Sequence, residues 1–260
     1  MTDTDYTSLT FKIPREAEDY LACSDFVVEA VESIIQQAMD DERNRIIINT
    51  NLRRGIPMEN VNKIAGPFIE AWAYEVFSDV LEDEANAYQL VNVEAGQRLN
   101  MADVILQFER KRKRQTSVTA NVDIKATSQD IKKSGKSPNI TSFARIRTAY
   151  IKDPDYLFII LSIKHKVYST RDSATKMMMG IMEIVDFNAY DLKFLADQDI
   201  RYNPALGSGQ LQVRDIHYVA RQNRTTWEFC QLLDQKCIAS RTGFAGWLRY
   251  ARQYEWIKDE

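Results

Sequence analysis

Two aspartates and a lysine stand at a spacing that suits metal-dependent chemistry. Asp103 is followed, twenty residues later, by Asp123-Ile124-Lys125. In an extended strand, residues two apart point to the same side, so Asp123 and Lys125 share a face while Ile124 points into the core. The strands around Asp103 and Asp123 are joined by a short charged connection, so a hairpin would bring the two carboxylates together on one face of a sheet.

Such a pair of carboxylates requires a cation. Two carboxylates a few ångströms apart repel each other unless a positive charge joins them, and a hard divalent ion such as Mg²⁺ takes oxygen ligands and keeps several waters. The ion can polarise a phosphodiester oxygen and lower the pKa of a bound water. A nearby lysine can position that water or stabilise the charge of the transition state. The residues therefore predict phosphodiester hydrolysis without histidine or cysteine.

A D-x-K triplet also occurs on solvated strands, where acids and bases alternate as a surface ladder. Three features favour the catalytic interpretation. Asp103 lies in the apolar stretch Met101–Phe108, where an unpaired carboxylate is costly. The triplet ends an apolar strand instead of lying on a polar one. The basic segments Arg110–Arg114 and Lys132–Lys136 bracket it, as a polyanionic substrate requires.

The charge of the chain is unevenly distributed. The net charge is −3, yet residues 1–44 carry eleven acids against three bases, a local charge of −8. Residues 110–136 carry nine bases against two acids, a local charge of +7. This asymmetry predicts a polyanionic partner on one face, and the near-neutral total excludes indiscriminate coating of nucleic acid.

The composition also limits the kind of protein and the kind of site. Three cysteines without a CxxC spacing argue against a disulfide framework and fit a reducing, cytoplasmic location. With two histidines, a zinc site is not expected. The N-terminus lacks the basic and apolar regions of a signal peptide, and no apolar run is long enough to cross a membrane.

The apolar periodicity predicts an α/β (α+β) protein with a central mixed sheet flanked by helices. The expected helices are Glu16–Asp41, Pro57–Ile64, Gly66–Leu81, Asn139–Tyr150, Thr225–Ser240 and Phe244–Trp256. The expected strands are Tyr88–Val93, Met101–Phe108, Ser117–Ala126, Tyr156–Ile163, Met177–Phe187 and Gln210–Val219. We interpret residues 1–260 as a single nuclease domain, with a helical extension over 1–56, a catalytic core over 57–220 and C-terminal helices over 221–260.

The pattern of Asp103 and Asp123-Ile124-Lys125 resembles the PD-(D/E)xK nuclease superfamily, and within it the type II restriction endonucleases. Ala102 stands where a proline often precedes the first acid of the motif. The resemblance implies a restriction-endonuclease-like fold and a Mg²⁺ cofactor, with Mn²⁺ as an alternative. It further implies that Asp103, Asp123 and the Ile124 carbonyl ligate the metal, while Lys125 activates or positions the water.

Many of these enzymes carry a glutamate in a G-x-x-x-E segment at the start of an N-terminal helix. Gly66-Pro67-Phe68-Ile69-Glu70 is similar to that segment, which implies that Glu70 orients Lys125 or binds a second ion. The segment Lys136–Ser142, which follows Lys125, is similar to the strand-to-helix region of the EcoRV-like branch, which contacts DNA. These resemblances cover roughly residues 60–220.

Two segments supply candidate DNA contacts. In the first, we expect contacts from Lys132, Lys133, Lys136, Ser137, Asn139, Thr141, Ser142 and Arg145. Arg147, on the same predicted helix, either reaches phosphates or lies on a solvated helix face. In the second segment, a glycine-rich loop precedes Gln210, Gln212 and Arg214, which would share one strand face. Glutamine and arginine pair bidentately with adenine and guanine, although a plain hairpin with a solvated face has the same pattern.

These features together predict a sequence-specific endonuclease that cuts double-stranded DNA with Mg²⁺ and leaves 5′-phosphate ends. Cutting both strands of a palindrome implies a homodimer, and a cognate DNA methyltransferase is expected in the same cell. Two alternatives remain open at this point. One is a DNA repair or recombination nuclease of the same fold, and the other is a DNA-binding protein without catalytic activity.

Overall fold

The chain folds into five helices and nine strands over the part that the computed structural model describes, which is residues 5–55, 57–97, 101–110, 116–205 and 207–258. The helices are α1 (Tyr20–Asp40), α2 (Met58–Glu82), α3 (Phe143–Lys152), α4 (Thr226–Ile238) and α5 (Gly243–Gln253). The strands are β1 (Arg45–Asn49), β2 (Leu90–Ala95), β3 (Val104–Arg110), β4 (Thr116–Ser128), β5 (Asn139–Ser142), β6 (Leu157–Arg171), β7 (Met178–Asp191), β8 (Ile200–Asn203) and β9 (Gln210–Val213).

These elements are divided between two compact units that alternate along the sequence. The six-stranded unit comprises Cys23–Gly135 and Phe158–Asp191. The three-stranded unit comprises Met1–Ala22, Lys136–Leu157 and Leu192–Glu260. The division into an extension, a core and C-terminal helices within one nuclease domain stays a prediction.

The six-stranded unit is built on a sheet with the order β1-β7-β6-β4-β3-β2. Strand β7 pairs antiparallel with β1 and β6, and β3 pairs antiparallel with β2 and β4. Strands β4 and β6 run parallel. Thr127 Oγ1 donates to Ile163 O at 3.3 Å, and two residues further along both strands Gln129 N donates to His165 O at 2.7 Å. The sheet is therefore mixed, which confirms the predicted class.

Strand β3 buries alternate residues, as a strand covered by helices requires. Leu106 and Phe108 are completely buried on one face, where the Phe26 ring of α1 lies 5.7 Å from the ring of Phe108. Helix α2 contacts β2 and β4 and buries Ile69 and Phe77 completely. Helix α1 thus packs on the face of β3 that carries Leu106 and Phe108, and helix α2 packs on the same sheet.

Helix α2 corrects the prediction of two helices separated near Gly66 and Pro67. It runs unbroken from Met58 to Glu82 with Pro67 in its interior. Proline removes one backbone hydrogen bond and clashes with the preceding turn. Burial of Val61 before it and Ile69 after it along one face offsets that cost, so tertiary packing overrides the local break.

The structure differs from the predicted elements at further places. Residues 139–142 form β5 instead of the first turn of a helix, because Asn139 pairs with Gln212 and Ser142 with Gln210 across a bulge. Strand β6 runs from Leu157 to Arg171 and so extends well beyond the predicted end at Ile163. Strand β8 was not predicted, since its four residues are too few to show a periodicity.

The three-stranded unit carries a sheet with the order β5-β9-β8, beside which α4 contacts α3, α5 and β8. Its core contains a buried ion pair, in which Arg147 Nε and Nη2 donate to the Asp234 carboxylate at 3.1 and 3.0 Å. Both side chains have no exposed surface. Arg147 therefore reaches neither phosphates nor solvent, which corrects both alternatives from the sequence.

No helix among the described residues combines the length and the apolar character that crossing a bilayer needs.

Candidate active site

The β3–β4 pair brings Asp103 and Asp123 together. Val104 pairs with Val122, so the next position outward places Asp103 opposite Asp123 on the same face, where side chains directly opposite are neighbours. Asp103 lies just before β3 and not within it. Its N–H donates to Val122 O at 2.9 Å, and its Oδ2 accepts from the Ile124 N–H at 2.7 Å. The strand register therefore fixes the backbone and the carboxylate of Asp103.

Lys125 lies on the same strand face as Asp123, as the alternation predicts. Its Nζ donates to Asp123 Oδ1 at 2.7 Å. Asp123 is only 3% exposed, whereas the Lys125 side chain keeps 23% of its surface in contact with solvent. The pair therefore presents an ammonium group at the surface above a buried carboxylate.

Glu70 joins the same charge cluster from helix α2. It is half-buried, and its carboxylate is repelled by Asp103 and attracted by Lys125. Gly66, which begins the G-x-x-x-E segment, lies inside α2 instead of at a helix start. A Cβ atom at Gly66 would lie 3.9 Å from Glu70 Oε1, which is an ordinary contact. The position of Glu70 therefore does not require a glycine at 66, one helical turn before it.

The electrostatics of the cluster favour a further positive charge. Burial raises the pKa of the Asp123 carboxyl to about 7; Lys125 acts against this shift, and Asp103 and Glu70 add to it. Burial is also the main cause of the raised pKa of Glu70, and repulsion from Asp103 adds to it. Three carboxylates face one ammonium group, so the ionised cluster carries an excess of two negative charges.

The donor atoms of this site fit a hard divalent cation. Asp123 Oδ2 is buried and accepts no hydrogen bond from the described residues, a costly state that a cation would relieve. No three side chains of His, Cys, Asp or Glu within the described ranges are close enough to form a metal cluster. Asp103, Asp123 and the Ile124 carbonyl could hold an ion that keeps several waters, which is the usual manner of Mg²⁺.

The raised pKa of Asp123 predicts how the stability of the protein depends on pH in metal-free buffer. The folded state holds the Asp123 proton up to about pH 7, whereas an unfolded aspartate releases it near about 3.9. The free energy of unfolding of the wild type should therefore fall as the pH rises between these values, and then level off. Asp123→Asn lacks this loss, so we expect its melting temperature to exceed that of the wild type increasingly from pH 5 to pH 7.

Thermal denaturation across this pH range, with and without a divalent cation, measures the effect. The cation should raise the melting temperature of the wild type and leave that of Asp123→Asn almost unchanged. The matched control is Asp186→Asn, since Asp186 lies in the same unit with 60% of its side chain exposed. Equal pH profiles of the melting temperature for Asp123→Asn and the wild type would contradict a raised pKa of the buried Asp123 carboxyl in the absence of a cation.

The candidate DNA contacts are divided between the two units. Lys132 and Lys133 are exposed in the turn after β4, in the six-stranded unit. Arg110 is buried instead of exposed, and its guanidinium donates to Cys23 Sγ at 2.8 Å. The rest of the predicted basic segment, 111–114, lies outside the described residues. The remaining candidates belong to the three-stranded unit.

In the three-stranded unit, the candidates on β5 and α3 differ in exposure. Asn139 and Arg145 are exposed, whereas Thr141 is 6% exposed and offers little surface to a ligand. Ser142 Oγ lies 3.0 Å from Ser208 Oγ. Ser137 Oγ accepts a hydrogen bond from Arg201 at 3.3 Å. Thr141 is therefore a weaker candidate for a DNA contact than the exposed Asn139 and Arg145.

The candidates on β9 share one face, as predicted from alternation. Gln210 and Gln212 are partly exposed, and Arg214 continues that face with an ion pair to Asp199 at 3.3 Å. Lys136 is paired with the Asp215 carboxylate. Lys136 and Arg214 are thus already engaged with carboxylates of the same unit.

The glycine-rich loop before β9 approaches a side chain closely. Gly209 has φ +87°, and a Cβ atom there would lie 2.2 Å from the Tyr202 ring, so no other residue fits without rearrangement. Tyr202 Oη in turn donates to Ser208 O at 2.9 Å. The glycine thus serves packing within the unit, and Arg201, beside Tyr202 on β8, is a surface residue that sequence reasoning missed.

The chain is similar to type II restriction enzymes over nearly its whole length. The family model of the type II restriction endonuclease HpaI matches residues 7–255. The type II restriction enzyme HpaI of Haemophilus parainfluenzae is 55% identical over 255 residues, which cover 98% of this chain and 99% of that protein. Among solved structures, the NlaIV restriction endonuclease matches with a TM-score of 0.45 and 15% identity, over 88% of this chain and 91% of that chain.

Proposed function

Because the chain belongs to the type II restriction endonuclease HpaI family and is therefore a sequence-specific endonuclease, we propose that it cuts double-stranded DNA with Mg²⁺ at the cluster of Asp103, Asp123, Lys125 and Glu70. Mn²⁺ is the alternative cation. The observation that carries this proposal is the register of β3 and β4, which sets two carboxylates opposite each other beside an ammonium group.

The proposed metal ligands are the carboxylates of Asp103 and Asp123 and the Ile124 carbonyl. A divalent ion held by these residues would polarise the phosphodiester and lower the pKa of a bound water. The hydrogen bond from the Ile124 N–H keeps the Asp103 carboxylate in place. Burial of Asp123 keeps water from screening its charge. These residues therefore hold the acidic side of the site in a fixed arrangement.

Lys125 supplies the positive charge on the solvent side of the cluster. Its ammonium group can hold the attacking water by a hydrogen bond and can donate to a non-bridging oxygen as negative charge develops. Glu70 attracts Lys125, so we propose it as a positioning residue. The water oxygen forms a bond to phosphorus and loses a proton to solvent, while the bond to the 3′ oxygen breaks and that oxygen takes up a proton, which leaves 5′-phosphate and 3′-hydroxyl ends.

The proposed partners follow from the reaction. Cutting both strands at a palindrome is done most simply by two copies related by a two-fold axis, so we propose a homodimer. A cell that contains such an enzyme must protect its own sites, so we propose a cognate DNA methyltransferase beside it and a cytoplasmic location for both.

Digestion of a plasmid of known sequence tests this function. We expect discrete bands in Mg²⁺, none after chelation, and mapped ends that share one sequence and carry 5′-phosphates. A smear without fixed ends would instead indicate a repair or recombination nuclease. Binding of DNA without any cleavage in Mg²⁺ or Mn²⁺ would contradict the catalytic role of the cluster.

A further inference from the structure

A row of three polar side chains crosses the sheet of the three-stranded unit. Gln212 of β9 pairs with Asn139 of β5 on one side and with Arg201 of β8 on the other. The three residues are thus neighbours on one face. Gln212 Nε2 donates to Asn139 Oδ1 at 2.9 Å, so these two amides are oriented with respect to each other before any ligand binds.

This row faces outward. Leu211 and Val213, which flank Gln212 on β9, are 1% and 0% exposed, so the other face of the strand lies in the core. Asn139 and Arg201 are exposed, and Gln212 is half-buried between them. The backbone under the row is held by two strand pairings, so the side chains stand on a rigid support.

Arg201 differs from Arg214 and Lys136, which also lie beside this sheet. Arg214 is paired with Asp199 at 3.3 Å, and Lys136 with Asp215. Within the described part of the chain, Arg201 forms no ion pair, and its hydrogen-bond partner is the Ser137 hydroxyl. The carboxylates of Asp199 and Asp215 are therefore neutralised, while the guanidinium of Arg201 keeps most of its donors for a ligand.

The chemistry of the row matches the edges of DNA bases. Arginine donates bidentately to O6 and N7 of guanine, and asparagine or glutamine pairs bidentately with N6 and N7 of adenine. Three strands at about 4.8 Å spacing extend across roughly 10 Å, which the major groove, about 12 Å wide, can admit. Two amides oriented by a hydrogen bond, beside an arginine that forms no ion pair with the described residues, are suited to hydrogen bonding with a short sequence of bases.

We propose that Asn139, Gln212 and Arg201 determine sequence specificity from the major groove, with Arg201 contacting guanine and the amide pair contacting adenine. This inference rests on the proposed DNA-cleaving function. It adds Arg201 as a specificity residue and assigns Arg214 and Lys136 to structural ion pairs.

The test uses a duplex that contains the mapped site, together with every duplex that differs from it by one base pair. Single-turnover cleavage in Mg²⁺ is measured for the wild type, Arg201→Ala, Arg201→Lys and Gln212→Ala. The matched control is Arg252→Ala, because Arg252 is an exposed arginine on α5 of the same unit. Thermal denaturation of each variant confirms that it is folded.

We expect Arg201→Ala to slow cleavage of the mapped site by about 5- to 150-fold and to lose discrimination at one G·C position. Arg201→Lys should lose the same discrimination, since an ammonium group lacks the bidentate geometry. Gln212→Ala should lose discrimination at an A·T position, and Arg252→Ala should cut like the wild type.

Unchanged discrimination at every position in Arg201→Ala and Gln212→Ala would overturn the inference while leaving the nuclease activity established. An equal loss on all duplexes would overturn it as well, since it would indicate a phosphate contact. A wild type that cuts no DNA would instead remove the proposed function, and this inference with it.

Discussion

Lys125→Met should abolish most DNA cleavage while leaving the protein folded. Lys125→Met removes the ammonium partner of the buried Asp123 carboxylate, but the Mg²⁺ proposed at the site still balances that charge and the Lys125 side chain keeps 23% of its surface exposed, so we expect the variant to fold in Mg²⁺. In the proposed reaction Lys125 holds the water and stabilises developing charge, and the loss of such a group lowers a rate by about 10²- to 10⁴-fold. Single-turnover cleavage of a plasmid in saturating Mg²⁺ measures this loss.

The matched control for Lys125 is Lys164. Lys164 also lies on a strand of the six-stranded unit, forms an ion pair with Asp186 at 3.0 Å, and is 24% exposed. Lys164→Met removes the same charge from a similar environment without touching the cluster, so its rate should equal that of the wild type. If Lys125→Met and Lys164→Met cut equally fast, Lys125 has no catalytic role.

The largest effect on stability is expected for Asp234→Asn. The Asp234 carboxylate accepts two hydrogen bonds from Arg147, one from Trp247 Nε1 at 2.9 Å and one from the Tyr6 hydroxyl at 2.9 Å. The Arg147 guanidinium also lies 5.2 Å from the ring of Trp256. Neutralising Asp234 leaves a buried guanidinium without its counterion, which costs about 3–5 kcal/mol.

Such a loss should lower the melting temperature by roughly 6–20 °C in a protein of this size. Asp186→Asn, which breaks a surface pair, should cost less than about 1 kcal/mol. The double variant Arg147→Met/Asp234→Leu removes both charges and should lose less stability than Asp234→Asn alone. A melting temperature for Asp234→Asn no lower than that for Asp186→Asn would contradict the assigned role of the ion pair.

The geometry of the candidate site was predictable because local rules determine it. Alternation along a strand places Asp123 and Lys125 on one face, and a short connection predicts the hairpin that brings Asp103 opposite Asp123. Both rules use only neighbouring residues. The sequence could not show that Asp123 would be 3% exposed while Lys125 reaches solvent, since burial depends on what covers the sheet.

The missed features depend on contacts between distant residues. The continuity of α2 through Pro67 depends on buried residues on both sides of it. The strand at 139–142 depends on pairing with residues some seventy positions later, which the residues around it do not reveal. Arg147 looked like a surface base because its partner, Asp234, is 87 positions away in the sequence.

The most direct test of the central claim is the Mg²⁺-dependent cleavage rate of Asp103→Asn and Asp123→Asn beside that of Asp186→Asn. Each of the first two variants removes a proposed metal ligand, and the third removes an exposed carboxylate of the same unit. We expect the first two variants to lose cleavage by about 10³-fold or more and Asp186→Asn to cut like the wild type. Full Mg²⁺-dependent cleavage by both Asp103→Asn and Asp123→Asn would contradict the assignment of the metal site to these carboxylates.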